Sequence, residues 1–206
     1  MGGTGPNVQL NGGDKMTENV NLQESGALYS LGELAPCEHI AQFYEHDRAL
    51  IRTLINFIGS GLAAGESAIV IATEAHLRVL EQGLHDSGVD VVSALIQGRY
   101  IALLADETLR RFMVKRWPDE KLFGNFVTEL ITRARGNGRR VRAFGEMVAL
   151  LWSRGDVGAT VRLEQLWQQL CKIEEFALLC AYPKAGFTEG SGNSIREICA
   201  AHSKVI

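Results

Sequence analysis

The stretch Arg140-Val141-Arg142-Ala143-Phe144-Gly145-Glu146-Met147-Val148-Ala149-Leu150-Leu151-Trp152 decides how this chain is read. Val141 to Phe144 suits a short buried strand, Gly145 a turn, and Glu146 the start of a mostly apolar helix. A glycine carries no Cβ, so the backbone at such a junction can turn tightly and approach a neighbour or a ligand. Glu146 is thereby expected at the carboxyl end of a strand and the amino end of a helix, where open α/β sheets bind their ligands.

Working outward, further strands and helices alternate around this junction. His39 to Tyr44 suits a strand, and after the polar turn Glu45-His46-Asp47 a helix carries Leu50, Ile51, Leu54, Ile55, Ile58 and Leu62 at core spacing, with Asp47 as its expected N-cap. Ala68-Ile69-Val70-Ile71-Ala72 is a continuous apolar run of the kind found in parallel strands covered on both faces. Thr73 is placed to cap the next helix, which runs to about Leu84, and Gly88 turns the chain. Tyr100 to Leu104 reads as a third strand, followed by a short helix from Asp106. A longer helix begins at Pro118-Asp119, with Leu122, Phe123, Phe126, Val127, Leu130, Ile131 and Ala134 on one face. After Trp152, a helix presents Leu163, Leu166, Trp167, Leu170 and Ile173, and Phe176 to Tyr182 is a strand closed by Pro183. Gly186, Gly190 and Gly192 then lead to a last helix with Ile195, Ile198 and Cys199 facing inward. Such alternation predicts an α/β fold of three layers, a mainly parallel sheet with helices on both faces.

The chain has 206 residues, enough for one cored domain and a tail. Residues 1–36 are rich in Gly, Asn, Ser and Glu and read as a flexible N-terminal tail, with Leu28-Tyr29-Ser30-Leu31 a weak docking candidate; residues 37–206 read as the folded domain. A net charge of −3 and a pI near 6.0 supply no global field for nucleic acid or an anionic membrane. The basic run Arg133, Arg135, Arg139, Arg140, Arg142 reads as solvated cations at a helix C-terminus and the loop beyond. The four cysteines, Cys37, Cys171, Cys180 and Cys199, are widely spaced and form no C-x-x-C pair; Cys180 in an apolar run and Cys171 and Cys199 in helical patterns read as small buried hydrophobes. A zinc site needs clustered thiolates or imidazoles, and this spacing offers none. No apolar run reaches the roughly 18 residues that a membrane span needs, and the N-terminus lacks a signal-peptide pattern, so the expected location is cytoplasmic.

Polar groups follow each strand: Tyr44, Glu45, His46 and Asp47; Thr73, Glu74 and His76; Asp106; Glu146; and Tyr182. In a parallel sheet these ends share one rim and can converge on a crevice. Helix capping is the competing explanation for Asp47, Thr73 and Asp106, and first-turn placement for Glu74 and Glu146. Tyr44, Glu45, His46, Thr73, Glu74, Glu146 and Tyr182 are the candidate ligand-binding residues; Glu146 and His46 are the ones capping explains least. A metal held by His46, Glu74, His76 and Glu146 is the least favoured reading. No catalytic residues, metal site or cofactor are assigned, because G-x-S-x-G and H-E-x-x-H are both absent. A P-loop is absent as well: the first strand runs into acidic Tyr44-Glu45-His46-Asp47 without glycine or lysine, and the glycine-rich Gly59 to Glu66 run precedes a strand, the wrong order for phosphate binding.

Together, His39-Ile40…Phe43-Tyr44-Glu45, Gly61-Leu62…Gly65-Glu66…Ile71-Ala72-Thr73, Phe144 to Trp152, Leu163-Glu164…Trp167 and Leu179-Cys180-Ala181-Tyr182-Pro183 resemble the MEDS domain, a sensory domain named from methanogen and methylotroph proteins and a dichloromethane-metabolism regulator. The Gly145-Glu146-Met147 and Leu179 to Pro183 blocks are the specific ones, and the resemblance covers about residues 37–206. It implies a RecA- and KaiC-like fold without a P-loop, and a role in bacterial signal transduction beside histidine kinases or transcription regulators. Leu104 stands where the family is expected to favour Asp, so this chain would lack one rim carboxylate. With no kinase or DNA-binding module of its own, output is expected through a partner. The resulting expectation is a non-enzymatic sensory domain binding a small ligand or a signalling partner, with no direct contact to nucleic acid or membrane. A divergent nucleotide-binding ATPase and a pure protein-interaction module are the alternatives.

Overall fold

The computed structural model describes residues 1–2, 34–187 and 192–206. Most of the expected tail, including Leu28 to Leu31, and the loop glycine Gly190 lie outside the described residues. Six parallel strands form one sheet: β1 (His39–Tyr44), β2 (Ser67–Ala72), β3 (Tyr100–Leu104), β6 (Val141–Gly145), β7 (Ala177–Pro183) and β8 (Lys204–Val205), in the spatial order β3-β2-β6-β7-β1-β8. A separate two-stranded ribbon pairs β4 (Met113–Val114) with β5 (Trp117–Pro118). The helices are α1 (Asp47–Ala63), α2 (Glu74–Asp86), α3 (Val91–Ile96), α4 (Ala105–Arg110), α5 (Glu120–Arg135), α6 (Met147–Ser153), α7 (Val157–Glu174) and α8 (Gly192–Ala200).

The alternation of side chains along each strand splits the core into two halves. Ile69, Ile71, Val141, Ala143, Leu178, Cys180 and Tyr182 face one layer, with α4 to α8. Ala68, Val70, Ala72, Phe144, Leu179 and Ala181 face the other, with α1, α2 and α3. This is the expected three-layer α/β arrangement. In the first half Phe123 stands edge-on to Phe112 at 5.2 Å and to Trp167 at 4.9 Å. Leu34, just ahead of the expected start of the domain, is buried in the second half.

Part of the basic run turns inward: Arg133 and Arg135 decorate the last turn of α5 as expected, and Arg133 and Arg140 are exposed, but Arg142 is buried. Arg142 lies on β6 and is 2% exposed; its Nε donates to Glu66 Oε2, and its guanidinium also donates to Phe57 O at 3.0 Å and Ser60 Oγ at 3.1 Å. A Cβ on Gly61 would stand 2.7 Å from the Arg142 side chain, so the glycine is what lets the arginine pass beneath α1. Arg139 donates to Ser67 Oγ at 2.8 Å, and Arg140 donates to the carbonyl of Leu34. The Gly61…Gly65-Glu66 run thus accommodates a buried ion pair.

Candidate functional site

The site begins where β2 and β6, neighbours in the sheet, send their following helices to opposite faces: α2 to one, α6 and α7 to the other. That divergence is a topological switch point, where α/β sheets open a crevice at their carboxyl ends. The Glu146 N–H donates to Ile71 O at 2.8 Å, continuing the strand pairing past Gly145 and holding the carboxylate beside the loop after β2. Glu146 is 5% exposed. Its Oε2 accepts from the Thr73 N–H at 2.8 Å, and its Oε1 lies 2.8 Å from His76 Nδ1. Thr73 Oγ1 in turn accepts from the His76 N–H at 3.4 Å, capping α2 and setting His76 in its first turn. On its other side, His76 Nε2 stands 3.6 Å from Oδ2 of Asp47, in the first turn of α1. The hydrogen bond His76 donates to Glu146 raises the His76 pKa above its ordinary value against the opposing pull of burial, with the Glu146 and Asp47 charges adding to the rise. Burial, then the charges of Glu146 and Asp47, push the Tyr44 phenol up to about 12. The result is an imidazole held between one sequestered carboxylate and one that is 74% exposed, a site suited to donating a hydrogen bond or holding a proton.

The rim brings together part of the expected set. Tyr44, Thr73 and Glu146 converge with His76 and Asp47. Glu45 points away and pairs with Lys184 at 3.1 Å, which holds its carboxyl below the usual range. His46 is exposed and occupies the N-cap position of α1 without a side-chain cap bond, so Asp47 is a first-turn residue rather than the cap. Glu74 is exposed, and Asp106 pairs with Arg154. Tyr182 is fully buried on the α7 side of the sheet, and its hydroxyl donates to Glu164 Oε1 instead of reaching the rim. A turn glycine is not required at Gly145 either: it stays in the strand, and an added Cβ would meet only the Trp167 ring, at 3.8 Å.

Two surface grooves lie away from the rim. Arg78, Glu81, His85, Val89 and Val92 line one, between α2 and α3; Trp117, Val157, Val161, Arg162 and Glu197 line the other.

A second polar group went unseen in the sequence. His39, Glu164, Cys180 and His202 converge in the interior, with one ligand-type atom from each within 4.8 Å of the others. Their wide spacing in the chain hides a clustering that the fold creates: Cys180 is buried, as expected, but stands beside the His39 imidazole and the Glu164 carboxylate. One signal was available: Thr160, Glu164, Trp167 and Cys171 recur at helical spacing on the inward face of α7, which puts a carboxylate among core residues.

No curated protein matches the chain. The family model of the MEthanogen/methylotroph, DcmR Sensory domain (MEDS) does match, over residues 38–203, and the chain belongs to that family of sensory domains.

Proposed function

We propose that this domain is the input module of a bacterial signalling system, a cytoplasmic RecA- and KaiC-like domain that has lost its P-loop and binds without catalysing. It detects a small polar molecule at the rim and passes the signal to a histidine kinase or transcription regulator. The observation that carries this reading is the state of His76. Glu146 fixes one ring nitrogen at 2.8 Å, whereas the other faces only an exposed carboxylate at 3.6 Å. That distance is too long for a good hydrogen bond, so an oxygen-bearing ligand can take the place of Asp47 at low cost. Displacing Asp47 perturbs the first turn of α1 and gives the ligand a way to be felt elsewhere.

A thermal-melt screen against Mg-ATP, Mg-ADP and small metabolites tests this, run on the wild type and on Glu146→Gln. A ligand at about a hundred times its Kd stabilises by roughly 2.7 kcal/mol. The expected outcome is a shift with a small polar metabolite that Glu146→Gln abolishes. A shift with Mg-ATP would instead favour the divergent ATPase. A protein that responds to nothing would favour the interaction module, for which Val92 and Ile96 on α3, 67% and 82% exposed, offer an apolar face.

A further inference from the structure

The interior cluster is built in two shells that differ in length. On the outside, His39 Nδ1 lies 3.0 Å from Ala201 O and His202 Nδ1 lies 2.6 Å from Ile198 O. A carbonyl oxygen only accepts, so both Nδ1 atoms carry the proton, and in the neutral rings both Nε2 atoms present lone pairs. The third support is the Tyr182 hydroxyl, which donates to Glu164 Oε1 and leaves Oε2 facing inward.

On the inside, every distance is longer. Glu164 Oε2 stands 3.3 Å from His39 Nε2, 3.4 Å from His202 Nε2 and 3.6 Å from Cys180 Sγ, and His39 Nε2 stands 3.4 Å from Cys180 Sγ. Nitrogen–oxygen hydrogen bonds cluster near 2.9–3.0 Å, and His202 Nε2, fully enclosed, makes none among the described residues. Two imidazole lone pairs and a carboxylate oxygen therefore face one another with a single thiol proton to share, an arrangement of acceptors that a cation resolves. These four distances match four of the six edges of a coordination tetrahedron, since bonds of about 2.0–2.3 Å from a central zinc to nitrogen, oxygen and sulfur imply edges of about 3.3–3.8 Å, and the other two pairs, His39–His202 and His202–Cys180, lie within 4.8 Å.

We infer that His39, Glu164, Cys180 and His202 form a closed four-coordinate site for a divalent transition metal, with Zn²⁺ the best fit. Two imidazoles, one thiolate and one carboxylate suit zinc in hardness and geometry. Binding replaces the Cys180 S–H bond with a metal–sulfur bond and releases that proton to solvent. The dipositive ion is then balanced by the thiolate and the carboxylate, so no net charge is buried. Outer hydrogen bonds that fix ring orientation and hold the free carboxylate oxygen are the usual support of a metal centre. All four ligands come from the protein and are buried, which makes this a site that holds structure rather than one open to substrate. Its reach is long: β1, α7, β7 and the segment before β8 are joined at one point. The neighbouring Ser203 N–H donates to His39 O at 2.7 Å, so the ion would pin the C-terminal segment to the sheet edge. The inference is independent of the rim ligand.

The full chain, stripped with a chelator and titrated with Zn²⁺ and then Co²⁺, provides the test. One equivalent of Zn²⁺ is expected to bind and raise the Tm. Co²⁺ is expected to give the intense visible bands of a tetrahedral ion together with a sulfur-to-cobalt charge-transfer band. Cys180→Ser should remove the charge-transfer band, while Cys171→Ser should leave it intact. Tyr182→Phe should weaken Zn²⁺ about 10–100-fold, as loss of an outer hydrogen bond to a ligand does. Failure of the wild type to bind either ion, six-coordinate cobalt, or a charge-transfer band that survives Cys180→Ser would each overturn the assignment. The wild-type cobalt spectrum decides the matter even where a variant does not fold.

Discussion

The rim and the interior each pair a glutamate with histidine, and they differ in what surrounds the pair. At the rim, Glu146 and His76 face Asp47, a side chain 74% exposed, and the contact between Asp47 and the imidazole is loose. In the interior, Glu164 and His202 are fully enclosed, and His39 is 3% exposed. The rim can exchange a partner with solvent at little cost. The interior cannot, because any group left unpaired there keeps its full desolvation penalty. The same residue types therefore make an exchangeable site in one place and a fixed one in the other, with access as the deciding variable.

The comparison breaks most visibly at Glu164. Glu164→Ala should cost about 2–5 kcal/mol, because it opens a cavity and leaves the buried Tyr182 hydroxyl without its acceptor, read from the urea midpoint in the presence of chelator. A loss below about 1 kcal/mol would show that the interior cluster is no tighter than a surface pair. At the rim, Glu146→Gln keeps an oxygen for the Thr73 N–H and loses only the charge facing His76, so a loss of about 1 kcal/mol is expected in the same assay.

The pH dependence separates the two regions further. His76 has a folded pKa above its ordinary value, so its contribution is complete below about pH 6.5 and disappears as pH rises through the raised folded value. Urea midpoints should therefore fall between about pH 6 and about pH 9, and Glu146→Gln should flatten that slope, because the hydrogen bond to Glu146 is the largest cause of the shift. A slope unchanged in the variant would place its origin elsewhere. The smallest effect belongs to Gly145→Ala. With ordinary strand geometry and only Trp167 at 3.8 Å, it should alter stability by no more than about 0.5 kcal/mol.

Elements whose hydrophobic period was uninterrupted were legible in the chain. β2 and β7 announced themselves as apolar runs, and α1, α5 and α7 by spacing. Local chemistry hid the rest. The β4–β5 ribbon turns on Lys115 and Arg116, both at positive φ, where the pattern leads one to look for Asn or Gly. α3 has an Asp90 cap accepting from the Ser93 N–H and buries only Val91 and Ala94 while exposing Val92, Leu95 and Ile96, so no run of large core residues marks it. β8 is two residues long and exists only because β1 lies beside it. Of the site, Thr73 and Glu146 were readable because caps and strand ends have recognisable residue types. Asp47 looked like a cap and is a first-turn neighbour of His76 instead.

By itself the sequence determined the alternation of strands and helices, hence a parallel sheet covered on both faces, and the sensory family carried by the Gly145-Glu146-Met147 and Leu179 to Pro183 blocks. Those properties are local: a run of apolar residues or a motif holds its information within a few turns of chain. Only the tertiary structure decided that Arg142 would be buried against Glu66, that Tyr182 would turn away from the rim, and that His39, Glu164, Cys180 and His202 would meet. Each of those outcomes depends on which strands become neighbours and which face of a helix meets them, and convergence of that kind leaves no spacing in the chain to be read.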